Sequence, residues 1–473
     1  MNKLKTGLIS ISLLLLLQSC STFRQEPLSQ APEIQKILTS DFFNSCQAAI
    51  SVYDLTADKS LFVKNDQLLF RPASNQKILT TASSLLFLGP EYNFVTNFYH
   101  TGIIKDSILT GDIFIHGGFD PFFNSKDLDS VVLEIKGKGI KTIDGNIYGD
   151  ISAMDSLVWG EGWMWDDETA YISPLTINEN AVKIITSPGK PDESALVKLT
   201  PNTNFVSVRN TAITTDTGKT TINITRDWAN RRNEILISGK IPESMKEKST
   251  SVGIYNPPFY FLTLLKESFE RNGIKFSGKI DTLTMHNPNE KLFSVKHNLE
   301  PIITHTNKVS DNLCAELILR ALAFEKSGMH ASAKKGIAYL DSLIVRTGLD
   351  PKNYRLADGS GVSFYNLISS ELLIEVLKYF YYKQPYLFPK LIDSFPVAGV
   401  DGTLADRMKD IPAYKNVYAK TGTLSNASTI SGYIKSKNRH LLAFSILIQN
   451  YPGSAVKARE IQDKLCELFY DQN

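Results

Sequence analysis

Three short patterns in this 473-residue chain combine the residue types that acyl transfer at a carbonyl needs. The first is Arg71-Pro72-Ala73-Ser74-Asn75-Gln76-Lys77. A serine hydroxyl is a poor nucleophile until a base takes its proton, and a lysine serves as that base once burial and positive neighbours lower its pKa. With Pro72 marking the turn into a helix, Ser74 is expected in the first turn and Lys77, three residues on, on the same face. The second is Lys308-Val309-Ser310-Asp311-Asn312, ahead of an apolar helix beginning near Leu313. There Ser310 can relay a proton and Asn312 can fix both Lys77 and a substrate amide. Helix capping alone also accounts for that run, since Ser, Asp and Asn are preferred N-caps. The third is Ala419-Lys420-Thr421-Gly422-Thr423-Leu424. On a strand, Lys420 would meet a substrate carboxylate, and Gly422 would let a peptide-like ligand lie close to the backbone.

No one of these patterns is specific. Ser187 to Lys190, Ser332 to Lys335 and Ser454 to Lys457 repeat the first spacing, Ser436-Lys437-Asn438 repeats the second, and Lys326-Ser327-Gly328 resembles the third. Their order and the elements expected to carry them make the difference. Ala48 to Tyr53 and Leu61 to Val63 suit a hairpin, and Gln76 to Leu88 has the apolar spacing of a buried helix. At the far end, Ser428 to Ile434 and His440 to Gln449 read as strands, and Ala455 to Tyr470 as an amphipathic closing helix. One α/β sheet built from both termini is the expectation, with a helical segment from Ile302 to Glu325. Between Tyr92 and Leu283 lie short β-type runs broken by Gly, Asp, Asn and Pro turns, which reads as inserted β-rich material.

Composition bounds the function classes. Lys and Arg total 51 against 49 Asp and Glu, a formal charge of +2, so no electrostatic hold on nucleic acid is expected. Lys3, Lys5 and the apolar run Leu8 to Leu17 read as an export signal too short to span a bilayer. The run ends in Leu17-Gln18-Ser19-Cys20, similar to a bacterial lipobox, so residues 1–19 are expected to be removed and Cys20 to carry lipid. Gln18 is atypical of that motif; Ser21 after the cysteine points to the outer membrane of a diderm cell. Cys46, Cys314 and Cys466 have no metal-like spacing. An oxidising compartment permits a Cys46–Cys466 bridge between the chain ends; three buried free thiols is the other reading.

The ordered set Ser74-x-x-Lys77, Ser310-x-Asn312, Lys420-Thr421-Gly422 resembles the penicillin-binding D-alanyl-D-alanine carboxypeptidases and endopeptidases of low-molecular-mass class C, peptidase family S13. Leu356-Ala357-Asp358-Gly359-Ser360-Gly361-Val362-Ser363, Phe395 to Leu404 and Gly162-Trp163-Met164-Trp165-Asp166-Asp167 are similar to stretches of that family. The resemblance implies an α/β (α+β) transpeptidase domain, related to the β-lactamases, from residues 21–91 and 284–473. Residues 92–283 would be an insert of two small domains between the first two motifs. It also implies roles. Ser74 forms the acyl-enzyme with Lys77 as base, and Ser310 and Asn312 complete proton transfer and hold the substrate amide. Lys420 and Thr421, with Gly422 and Thr423, bind the terminal carboxylate, and the N–H groups of Ser74 and Thr423 form the oxyanion hole. Asp167 recognises an amino group of the peptide stem. The implied partners are peptidoglycan peptides and β-lactam antibiotics, with no metal or organic cofactor.

One position departs from the family, which commonly has Arg where this chain has Phe364, at a site meeting a stem carboxylate. Two other readings keep the same motifs: a penicillin-binding sensor without turnover, and a β-lactamase, which needs an additional deacylation base that the sequence does not reveal. A metallopeptidase is disfavoured, since none of the seven histidines forms a His-Glu-x-x-His pair.

Overall fold

A computed structural model describes residues 30–164, 171–286 and 290–471. The expected signal segment with Cys20, and Asp167, lie outside the described residues. Among those described, no helix is long and apolar enough to cross a membrane.

Both chain ends build one antiparallel sheet. Strands β1 (Gln47–Asp54) and β2 (Lys59–Lys64) come from the N-terminal part, and β3 (Val417–Leu424), β4 (Ala427–Lys435) and β5 (Leu441–Gln449) from the C-terminal part. Their order is β2-β1-β5-β4-β3, with β1 pairing β5 along its whole length. Alternation sorts the side chains into two layers. Ile50, Val52, Phe444, Ile446 and Ile448 pack beneath helices α1 (Ala31–Leu38) and α8 (Val456–Tyr470). Ala49, Ala443 and Leu447 face the larger helical layer.

That layer is centred on α2 (Gln76–Phe87), where Gln76 to Leu85 are all buried. Around it pack α3 (Leu299–Lys308), α4 (Asn312–Ser327), α5 (Ala333–Arg346), α6 (Ser370–Lys383) and α7 (Phe388–Ser394). A helix enclosed on all sides is ordinarily apolar throughout. Here α2 carries hydroxyls: Thr81 donates to the Lys77 carbonyl at 2.7 Å, Ser84 to that of Thr81 at 2.8 Å and Thr80 to that of Gly359 at 2.6 Å, while Ser83 Oγ is buried without a partner among the described residues. The expected helical segment from Ile302 to Glu325 consists of α3 and α4, the second starting at Asn312 beside the expected start near Leu313, and Ser310 at φ 64° separates them. Cys46, Cys314 and Cys466 are free and buried.

The material between the first two patterns contains two groups of sheets. Strands 93–100, 113–116, 147–150, 280–282 and 290–298 form a five-stranded sheet whose order is 280–282, 147–150, 113–116, 93–100, 290–298. Nested within it in sequence, residues 181–253 form two three-stranded sheets and one two-stranded ladder. Exit and return are stitched together: the Leu299 N–H donates to the Tyr92 carbonyl at 2.9 Å. The 206 intervening residues thus leave and rejoin the helical layer at one place, and the two halves of the sheet can still meet.

Candidate active site

Ser74 occupies a single 3-10 turn, Ala73–Asn75, from which α2 starts at Gln76. The expectation of an α-helical first turn is therefore adjusted. Ala73 takes φ 47°, a left-handed conformation that costs a non-glycine residue about 1–3 kcal/mol and presents the serine at the mouth of the helix. Asn75, buried behind it, ties the turn to the sheet, its amide donating to the Lys420 carbonyl at 2.9 Å and accepting from Ser431 Oγ at 2.7 Å.

Lys77 is fully buried, and its Nζ lies 3.0 Å from Ser74 Oγ, 2.7 Å from Asn312 Oδ1 and 2.7 Å from the Ser360 carbonyl. Burial lowers its pKa from the ordinary 10.5 to about 8, against the pull of Asp358, Asp311 and Glu316. The neutral amine, oriented by Asn312 and Ser360, keeps a lone pair for the Ser74 proton.

In the second pattern, the cap belongs to Asp311: its Oδ1 accepts from the Cys314 N–H at 2.7 Å. The residues on either side are then free to point elsewhere. Asn312 reaches Lys77, and the strained Ser310 accepts from Lys420 Nζ at 2.9 Å. Lys420 is fully buried on β3, and burial, then the charge of Lys77, holds its pKa well below the usual lysine range.

Gly422 has a reason that the sequence reading did not foresee. A Cβ there would lie 2.3 Å from Thr429 Oγ1, 2.7 Å from the Ser74 nitrogen and 2.9 Å from the Pro72 carbonyl. The nucleophile's own turn packs against β3 at this point, so glycine is required before any ligand arrives. Thr421 Oγ1 donates to Thr403 Oγ1 at 2.7 Å, and Thr423 Oγ1 accepts from Arg459 at 3.2 Å. Ser74, Ser310, Gly422, Thr423, Arg407 and Arg459 line a cavity of about 390 Å³.

All three patterns therefore converge, while the look-alikes do other work. Ser332 caps α5, Ser436 and Asn438 bond within the β4–β5 turn, and Gly328 ends α4 at φ 65°.

The loop Asp358 to Asn366 plays a larger part than its sequence announced. Asp358 is fully buried and accepts from the Gly361 and Ser363 N–H groups, Asn366 Nδ2 and Trp163 Nε1 at 2.7–2.8 Å. Glu316 Oε1 takes the Gly359 and Ser360 N–H groups, both at 2.9 Å, while Oε2 pairs with Arg320 at 2.6 Å. Burial raises the Glu316 pKa against the pull of Arg320. These two carboxylates aim the Ser360 carbonyl at Lys77. A run of Asp, Gly and Ser signals a tight turn, but nothing local says which carbonyl it delivers or where. Arg407, Arg459 and Thr403 were also missed, each uninformative alone. Phe364 carries the Arg71 guanidinium 5.1 Å from its ring centroid.

With this geometry in hand, comparison with known proteins is direct. A family model described as the D-Ala-D-Ala carboxypeptidase 3 (S13) family matches residues 30–471. The chain is 28% identical over 397 residues to the D-alanyl-D-alanine carboxypeptidase DacB of Haemophilus influenzae, covering 82% of each. It is 27% identical over 464 residues to the D-alanyl-D-alanine carboxypeptidase of Actinomadura sp. (strain R39), covering 92% of this chain and 83% of the relative. The crystal structure of penicillin binding protein 4 (dacB) from Haemophilus influenzae superposes with a TM-score of 0.80 at 24% identity, over 93% of this chain and 99% of that one. The expected fold, an antiparallel sheet flanked by helices with a large insert, is the one found.

Proposed function

This chain belongs to the D-Ala-D-Ala carboxypeptidase 3 (S13) family, and from that premise we propose that it hydrolyses D-alanyl-D-alanine stem peptides and cross-links through an acyl-enzyme on Ser74. It is a serine-type hydrolase of peptidoglycan. The observation that carries the residue assignment is the buried Lys77 amine 3.0 Å from Ser74 Oγ, with a pKa of about 8.

Ser74 Oγ attacks the carbonyl of the penultimate D-alanine as Lys77 Nζ accepts its proton. The oxyanion takes hydrogen bonds from the N–H groups of Ser74 and Thr423, donors that typically lower such a barrier by about 3 kcal/mol each. Ser310, bonded to Lys420, relays to the departing amine the proton that Lys77 took from Ser74, the C–N bond breaks, and Lys77 is neutral again. Lys420, Thr421 and Thr423 receive the terminal carboxylate, with Gly422 keeping the strand close. Water then adds to the acyl carbonyl, gives its proton to Lys77 and releases Ser74. Penicillins acylate the same serine because their lactam mimics the D-alanyl-D-alanine end.

Asp167 is assigned to an amino group of the stem. The support is its neighbourhood: Trp163, four residues earlier, is pinned to Asp358 and brings the insert to the catalytic loop. Residues 1–19 act as the export signal and Cys20 carries the lipid, anchoring the protein in the periplasm at the outer membrane. Replacing Cys20 by Ala should abolish incorporation of labelled fatty acid.

The deciding experiment incubates wild type and Ser74→Ala with labelled penicillin and with cross-linked muropeptides. Wild type should retain label and release D-alanine or cleaved dimers, and Ser74→Ala should do neither. Label without peptide cleavage would make the protein a sensor. Rapid penicillin turnover without peptide cleavage would make it a β-lactamase.

A further inference from the structure

A cavity of about 690 Å³ lies between the insert and α3 and is separate from the one holding Ser74. Among its lining residues are Phe122, Lys126, Glu179, His297 and His305. At His305 three groups of different chemistry meet. A ring nitrogen of His305, a carboxylate oxygen of Asp311 and the thiol of Cys314 all lie within 4.8 Å of one another. His305 Nε2 stands 3.4 Å from Asp311 Oδ2, close to the spacing of two ligands on a tetrahedral ion with bonds of about 2.0–2.2 Å. Asp311 has an oxygen to spare, since its cap bond to Cys314 N uses Oδ1.

The insert brings a further carboxylate, Glu179, to the same cavity as His305. Asn178, Glu179 and Asn180 have φ of 50°, 56° and 51°, three left-handed residues in succession. Both asparagines are anchored, Asn178 Oδ1 accepting from Ser125 N at 3.0 Å and Asn180 Nδ2 donating to the Tyr171 carbonyl at 2.9 Å. Glu179, between them, lines the cavity and lies within electrostatic reach of Asp311, His305 and Cys314.

We propose that His305, Asp311 and Cys314 form a binding site for a divalent transition-metal ion of zinc type, and that the ion draws in Glu179 from the insert as its fourth ligand. Thiolate, imidazole and carboxylate in a four-ligand set select zinc over magnesium or calcium, which prefer oxygen alone. The cavity is the entry path. Asp311 stands between Ser310 and Asn312, so the ion clamps the insert to the loop that carries the second catalytic pattern. It takes no part in the chemistry at Ser74, for which no metal is needed. The site is independent of the substrate assigned above.

The test uses the purified protein, stripped with a chelator. Zinc is titrated against a chromophoric competitor, and cobalt is added separately to read its absorption. One equivalent of zinc should bind, with release of the thiol proton. Cobalt should give tetrahedral ligand-field bands and a thiolate charge-transfer band. Cys314→Ala should remove the charge-transfer band. His305→Gln, at a half-buried position that tolerates the change, should weaken zinc at least about ten-fold, the low end of the cost of losing even an outer-shell partner. Circular dichroism checks that both variants are folded. Absence of stoichiometric zinc binding by wild type overturns the proposal, and so does binding that survives unchanged in folded His305→Gln and Cys314→Ala. Neither result bears on penicillin labelling of Ser74.

Discussion

Lys77 and Lys420 are both fully buried amines, and burial, then the proximity of Lys77, holds the Lys420 pKa below the usual lysine range. Burial favours the neutral form of Lys77, and only that form accepts the Ser74 proton. The rate of penicillin acylation should therefore rise with pH through a midpoint near 8, read from stopped-flow labelling between pH 6 and 10. An arginine at this position stays charged across that range. Lys77→Arg should slow acylation by about 10²–10⁴-fold and remove the rising limb, while label-free unfolding shows that the fold persists. The same burial has a stability consequence with a definite sign. Between pH 8 and 10.5 the unfolded chain holds a proton on Lys77 that the folded protein has released, so this group makes the protein more stable as pH rises across the window.

The elements around these residues are held in strained or crowded geometry that serves positioning. Ser310 at φ 64° interrupts α3 and α4 so that its hydroxyl reaches Lys420. Glycine adopts that backbone freely, so Ser310→Gly should unfold at an equal or higher temperature than Ser310→Ala while both lose turnover of D-alanyl-D-alanine peptides. At β3 the requirement is the reverse. Gly422→Ala places a methyl 2.7 Å from the Ser74 nitrogen, and the nucleophile's turn must move. A displacement approaching 1 Å is worth on the order of 10² in rate, so acylation should fall by about that factor, and the overpacking should lower stability by about 1–3 kcal/mol. Three left-handed residues at Asn178 to Asn180 place the proposed metal clamp at the junction with the insert in the same way.

At the scale of the molecule, the insert is part of the catalytic core. Phe94, Phe119, Met154, Trp163 and Ile172 belong to the same apolar cluster as α2 and α4. Trp163 also donates to Asp358, the carboxylate that shapes the loop facing Lys77. Trp163→Phe removes one buried hydrogen bond to the Asp358 carboxylate, whose Oδ2 keeps the Ser363 N–H, and should cost about 1–3 kcal/mol in urea unfolding. Trp163→Ala adds a cavity and should cost about 3–5 kcal/mol, with acylation slowed as the loop loosens.

Much of this was legible in the chain alone, for physical reasons. Alternating and helical apolar periods report local geometry, so the terminal hairpin, the central helix, the closing strands and the last helix stand near their expected bounds. The order of Ser74, Lys77, Ser310, Asn312 and Lys420 pointed to acyl transfer, because the nucleophile, base and carboxylate partner proposed for it must be of those types. The sequence could not say which of Ser310, Asp311 and Asn312 would cap α4, since all three are competent and packing decides where each side chain points. Nor could it show the Ser360 carbonyl on Lys77, the fall of that pKa toward 8, the meeting of His305, Asp311 and Cys314, or the cavity that Glu179 shares with His305. Those depend on burial and on segments far apart in the chain brought to one place, and only the tertiary structure determines either.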